Sequence, residues 1–214
     1  MKLLKDVFDK NAEWAESVLQ EDPHFFERLS QQQTPEYLYI GCADSRVPAN
    51  TVMGLEPGQV FVHRNVANLV VHSDLNVLSV LQYAVEVLRV KHVIICGHYG
   101  CGGVTAAMTN DEHGLIDNWL RAIKDVYQRH QDRVDAMETP QERVDLMCEL
   151  NIAAQVLNVT HTTIVQDAWK RGQELAVHGW IYSLKNGRLK DLDLCISSQE
   201  QIAPIYRIRP GGLS

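Results

Sequence analysis

The chain has 214 residues, 45% hydrophobic and 22% charged, which suits a globular protein with one sizeable core. Its formal net charge of −7 argues against a nucleic-acid-binding surface, which needs a basic face. No apolar run approaches the roughly 18 residues of a membrane span. The opening Met1-Lys2-Leu3-Leu4-Lys5-Asp6 lacks the apolar stretch of a secretory signal, so a cytoplasmic protein is expected, with neither a membrane nor a nucleic acid as partner.

In chain order, residues 2–20 set Leu4, Val7, Phe8, Ala12, Trp14, Ala15 and Leu19 at helical spacing, which predicts an amphipathic helix. Asp22-Pro23 reads as the start of a second short helix, with Asp22 as N-cap and Pro23 in its first position. Strands are predicted at 37–42 and 58–64, a helix at 74–89, and a strand rich in Val and Ile at 91–97. Gly102-Gly103 opens a helix over 103–109. Further helices run from Leu115 to about Gln131, from Thr139 to about Val159, and from His161 to Arg171. Thr139-Pro140-Gln141-Glu142 carries the capping-box pattern. A strand at 175–182, a turn at Lys185-Asn186-Gly187-Arg188 and a return strand at 189–196 form a hairpin.

Strands alternating with helices predict one α/β domain over 1–214, preceded by a helical arm at 1–35. Its central β-sheet is mostly parallel and flanked by helices, with an antiparallel C-terminal edge strand. Sites in such sheets lie beyond the carboxyl ends of strands. Two short stretches fall there: Cys42-Ala43-Asp44-Ser45-Arg46 after the run Tyr37-Leu38-Tyr39-Ile40, and His98-Tyr99-Gly100-Cys101 after Val93-Ile94-Ile95-Cys96.

Five cysteines, scattered and odd in number, do not make a disulfide framework. Cys96, Cys148 and Cys195 read as small buried hydrophobes. Cys42, His98 and Cys101 offer two thiolates and an imidazole, the donor types zinc takes. Cys42 and Asp44, two apart on extended chain, project to one side. With Asp44 as fourth ligand the site is closed. With Asp44 swung away, held by Arg46 through a bidentate fork, water can bind. Zinc can bring the pKa of such a water from ~16 down toward ~7, the value for a site of three imidazoles. Two thiolates should raise it relative to that case. The bland alternative is a pair of structural cysteines beside a hydrogen-bonded histidine.

These motifs, together with Phe61-Val62-His63-Arg64-Asn65-Val66-Ala67-Asn68 and Gly97-His98-Tyr99-Gly100-Cys101-Gly102-Gly103, closely resemble those of the β-class carbonic anhydrases, and the resemblance spans essentially the full length. It implies reversible hydration of CO2 to bicarbonate and a proton at one Zn2+ per subunit. The ligands would be Cys42, His98 and Cys101, and the zinc-bound hydroxide would be oriented by an Asp44/Arg46 dyad. It implies a substrate pocket of Gln33, Phe61, Val66, Tyr83 and Gly102, partly supplied by a neighbouring subunit. It also implies a homodimer or dimer of dimers, with the 1–35 arm packing on the partner. Some members close the Asp44 counterpart onto zinc at low pH and bind bicarbonate at a Trp, Arg and Tyr. Here Arg64 and Tyr182 match, and Tyr39 stands at the Trp position. Read on its own, Arg64 is a structural brace. Two other readings compete: hydrolysis of another small heterocumulene, and a non-catalytic zinc domain with a permanently closed site.

Overall fold

The computed structural model describes residues 3–31 and 33–208. The chain divides into two compact units, Met1–Thr34 and Pro35–Ser214. In the first, α1 (Lys5–Glu21) and α2 (Phe25–Gln31) meet through Trp14 and Phe26, whose rings pack edge to face at 5.7 Å. The predicted helix start at Lys2 lies outside the described residues. Pro23 is not inside α2: it stands in a turn before it. The Asp22 carboxylate accepts the His24 N–H at 3.1 Å and pairs with Arg28, so it caps that turn.

The second unit is built on a five-stranded sheet of order β2-β1-β3-β4-β5. The strands are β1 (Tyr37–Cys42), β2 (Val60–Asn65), β3 (His92–His98), β4 (Ala176–Ser183) and β5 (Arg188–Ile196). The first four run parallel, and β5 returns antiparallel to β4. The mostly parallel sheet with its antiparallel edge is therefore as expected. The hairpin loop is two residues longer than a tight Asn-Gly turn. It runs from Leu184 to Gly187 between the paired Ser183 and Arg188, with the Gly187 N–H on the Ser183 carbonyl at 2.8 Å.

Helices α4 (Leu75–Gln82), α5 (Gly102–Ala107), α6 (Ile116–Arg129), α8 (Pro140–Thr160) and α9 (Thr163–Lys170) bury one sheet face in a single core around Leu38, Ile40, Val93, Ile95, Val177 and Ile181. The opposite face holds a smaller cluster of Tyr39, Ala49, Ile94 and Cys96 under the short α3 (Ala49–Met53), which the sequence did not announce. α8 begins at the expected capping box, with the Thr139 side chain and Glu142 bonding reciprocally. It lies directly on β3: a Cβ at Gly97 would fall 2.8 Å from the Ile152 side chain. Other helices are shorter than periodicity suggested. α6 stops at Arg129 because His130 leaves helical geometry, and α7 (Gln131–Asp135) follows separately. α9 starts at Thr163 because the Thr162 hydroxyl caps it. After α4 a π-turn, Tyr83–Val87, closes with the Leu88 N–H on the Tyr83 carbonyl at 3.0 Å. Cys96 and Cys148 are buried as expected. Cys195 is exposed, because β5 is an edge strand with that side chain turned outward.

Candidate metal centre

The last residues of the two central strands bring the two motifs together. Cys42 ends β1, His98 ends β3, and Cys101 stands one residue before α5. The loop between His98 and Cys101 turns at Gly100, whose φ of +67° is left-handed backbone that glycine adopts without strain. All three candidate ligands are buried, and their donor atoms lie within 4.8 Å of one another. The two sulfurs are 3.8 Å apart, far beyond a disulfide. Two sulfurs each ~2.3 Å from one tetrahedral ion would stand about 3.8 Å apart.

The imidazole is set for the same purpose. His98 Nδ1 donates to the Tyr99 carbonyl at 3.0 Å, and a carbonyl can only accept, so the proton is on Nδ1. Nε2 is left with a bare lone pair, buried, with no hydrogen-bond partner. A buried unpaired nitrogen is costly unless something binds it. The donor set and the orphaned nitrogen fit a soft divalent ion such as zinc. The thiols agree. The Cys42 thiol is held below its ordinary range, chiefly by the hydrogen bond from Cys101 and further by the N–H groups of Asp44 and Ala67. Cys101 is pushed up in turn, because it would be a second anion beside Cys42.

Asp44 points to the rim of this centre. Its carboxylate takes three hydrogen bonds from Arg46: from the backbone N–H at 2.9 Å, Nε at 3.0 Å and Nη2 at 2.7 Å. That fork holds its carboxyl far below the usual carboxylate range. One oxygen is still only 3.7 Å from His98 Nε2. Arg64 braces the loop from β2, with Nε on the Cys42 carbonyl at 2.8 Å and Nη2 on that of Asp44.

The other expected site residues fall into four groups. Phe61 and Tyr83 pair their rings at 5.8 Å, and Tyr83 and Val66 are exposed. Gly102 is the first residue of α5, beside Cys101. Gln33 belongs to the N-terminal unit. Tyr39 is fully buried with its hydroxyl unpartnered, and Tyr182 pairs with His98 in the sheet register.

Sequence reasoning missed a supporting triad. The Tyr99 hydroxyl donates to Glu149 on α8 at 2.5 Å, and Lys190 on β5 binds the same carboxylate at 2.9 Å. Burial, reinforced by that carboxylate, pushes Tyr99 up to about 12. No local pattern links residues 50 and 41 positions apart, so only the fold could join them.

A buried Cys2His group at the carboxyl ends of a parallel sheet, with an acid–guanidinium pair at its rim, defines an α/β protein with a site that could hold a metal ion. Comparison with known proteins narrows that class. The family model for carbonic anhydrase matches residues 37–189. A carbonic anhydrase of Emericella nidulans is 49% identical over 206 residues, covering 96% of this chain and 90% of that protein. A Coccomyxa β-carbonic anhydrase, solved in complex with acetazolamide, superposes with a TM-score of 0.89 at 39% identity, covering 94% of this chain and 90% of the other. One of two tetrameric β-carbonic anhydrases of Sordaria macrospora gives 0.85 at 38% identity, covering 89% and 97%. The chain belongs to the β-class carbonic anhydrases, enzymes that interconvert carbon dioxide and bicarbonate.

Proposed function

We propose that this chain hydrates CO2 reversibly at one zinc ion per subunit, held by Cys42, His98 and Cys101, with Asp44 and Arg46 as the catalytic dyad. The observation that carries the reading is the position of Asp44: gripped by Arg46, yet 3.7 Å from the unpartnered His98 Nε2. Zinc supplies the positive charge that makes water acidic near neutral pH. Asp44, fixed in the Arg46 fork, has lone pairs left to accept a hydrogen bond from the attacking water and so to aim its oxygen. Arg46 keeps Asp44 ionised for that purpose. The apolar rings of Phe61 and Tyr83, with Val66, offer a dry slot suited to a small apolar substrate. The amide of Gln33 can donate to the developing bicarbonate oxygen.

The same short distance suits a closed state, in which Asp44 leaves Arg46 and takes the metal's fourth position, shutting the site at low pH. Tyr39, Arg64 and Tyr182 would carry a bicarbonate effector in that state.

The active assembly is a homodimer or a dimer of dimers working in the cytoplasm. Two features support this. Val62, Val66, Tyr83 and Val87 are exposed apolar residues close in sequence to the slot, and α1 buries none of its apolar side chains. The 1–35 arm packs on a partner subunit and brings its Gln33 to the neighbouring slot.

Stopped-flow CO2 hydration from pH ~6.5 to ~9, on protein of measured zinc content, tests the reading. Activity rising with pH supports it, and a rise steeper than one proton supports the closing carboxylate. Absence of activity at the alkaline end with zinc bound would overturn it.

A further inference from the structure

The segment after β2 is strained where it passes the metal centre. Ala67 and Asn68 are consecutive non-glycine residues with φ of 64° and 49°, both buried. Left-handed backbone is unfavourable for alanine and better tolerated by asparagine, and two such residues in succession persist only where the surroundings hold them. Ala67 is wedged between the two halves of the site. Its Cβ packs against Gly103, two residues after Cys101, where an added methyl would fall 3.2 Å away.

What holds this turn is a ladder of side-chain amides on α8. Asn151 Nδ2 donates to the Ala67 carbonyl at 3.0 Å. Gln155 Nε2 donates to Asn151 Oδ1 at 3.0 Å. Gln155 Oε1 accepts the Val70 N–H at 2.9 Å and Asn158 Nδ2 at 3.1 Å, and Asn158 Nδ2 also reaches the Val70 carbonyl at 2.9 Å. Asn151 and Gln155 are each 1% exposed. Each of these two amides donates through nitrogen and accepts through oxygen in one consistent sense, so turning either over breaks the chain of bonds. Apolar side chains at 151 and 155 would pack with no desolvation cost, and the helix spends two core positions on amides instead.

We infer that Asn151, braced by Gln155 and Asn158, is a positioning residue for the metal centre: it clamps the left-handed Ala67–Asn68 turn so that this segment stays packed against Gly103 in the first turn of α5, which fixes the direction of the Cys101 thiol at the start of that helix. The inference rests on the metal reading above and extends it to a support 50 positions along the chain from Cys101. Holding the first turn of α5 in place fixes the direction of the thiolate just before it, which tunes how strongly and in what geometry it binds a metal.

The test uses the full chain loaded with Co(II), whose thiolate charge-transfer absorption reports Cys–metal geometry, and zinc affinity by chelator competition. Asn151→Leu is expected to shift or weaken that absorption and to lower zinc affinity by about 10- to 100-fold. Val159→Ala, a buried change on the same helix away from the turn, should lower thermal stability and leave both readouts as in the unmodified protein. Adding Ala67→Gly to Asn151→Leu should restore part of the signal, because glycine adopts the left-handed turn without strain. If Asn151→Leu does not fold, Gln155→Met, which loosens the ladder one bond further off, should move both readouts in the same direction by a smaller amount. An unchanged spectrum and affinity in a folded Asn151→Leu protein overturns the inference, as does an equal change in Val159→Ala. If the unmodified protein shows no thiolate absorption with cobalt, the metal reading itself falls and takes this inference with it.

Discussion

Helix α1 runs 17 residues and buries none of them; α8 runs 21 and buries nine. Both carry ample apolar side chains, yet α8 spends its own on the sheet beneath it and adds Asn151, Gln155 and Thr160 to the buried set. α1 keeps Val7, Phe8, Trp14 and Leu19 exposed. The difference separates a helix that satisfies its own chain from one that does not. Around α8 the chain satisfies itself, down to the amides that hold the metal loop. At α1 and around Tyr83 it leaves apolar surface exposed, which the assembly proposed above would cover with a partner subunit.

The largest effects are expected on the self-satisfied side. His98→Ala removes a buried ligand, so the protein should lose stoichiometric zinc and its hydration rate should fall to near the uncatalysed level, as zinc analysis and stopped-flow would show. Asp44→Asn leaves the ligands untouched and removes the acceptor beside them. Zinc should be retained while turnover falls by about 10²- to 10⁴-fold. Full activity in Asp44→Asn would take the dyad out of the mechanism.

Next in size is a direct contrast of the two helices. Ile152→Ala, beneath α8 against Gly97, should cost about 2–5 kcal/mol in urea unfolding. Phe8→Asp on α1 should change the stability of dilute protein by no more than about 0.5 kcal/mol, as for an exposed site. Its effect should appear in assembly, where self-association weakens by about tenfold or more in sedimentation or native mass spectrometry. Equal stability losses in the two variants, with assembly untouched, would break the contrast.

The smallest effect is pH-dependent and also belongs to the core. Burial holds His63, His161 and His178 below the ordinary histidine value. Above pH ~6.5 these histidines are neutral in both folded and unfolded chains and contribute no pH dependence. As pH falls below that, the unfolded chain takes up protons that the folded chain refuses, so stability declines toward the lower folded values. Urea midpoints measured from pH 7.5 to 5.5 should fall, and His63→Gln should flatten the slope by its own share.

Much of this was legible locally. The Val and Ile runs, the capping box at Thr139 and the Asn-Gly turn signal mark elements because each depends on neighbours within a few residues. Cys42, Asp44, Arg46, His98 and Cys101 announce themselves because metal-binding donor types recur at short spacing on strand ends. The extent of α6 and the short α3 were less legible, since a single residue leaving helical geometry, such as His130, ends a helix without altering its apolar period. The burial of Cys195 was misjudged because the apolar residues around it could not tell an edge strand from an inner one.

What sequence alone determined was the donor set, the strand-end positions that carry it and, through its motifs, the family. Which donors meet, and in what state, was decided by the tertiary structure. Only the packed sheet lays β1 beside β3 and leaves His98 Nε2 bare before two sulfurs 3.8 Å apart. Only α8, crossing that sheet, can hold Ala67 in a left-handed turn and fix Tyr99 through Glu149. The reason is physical: residue type and short spacing set the chemistry a segment can offer. Burial, strain and hydrogen bonds between distant segments exist only once the core has closed around them.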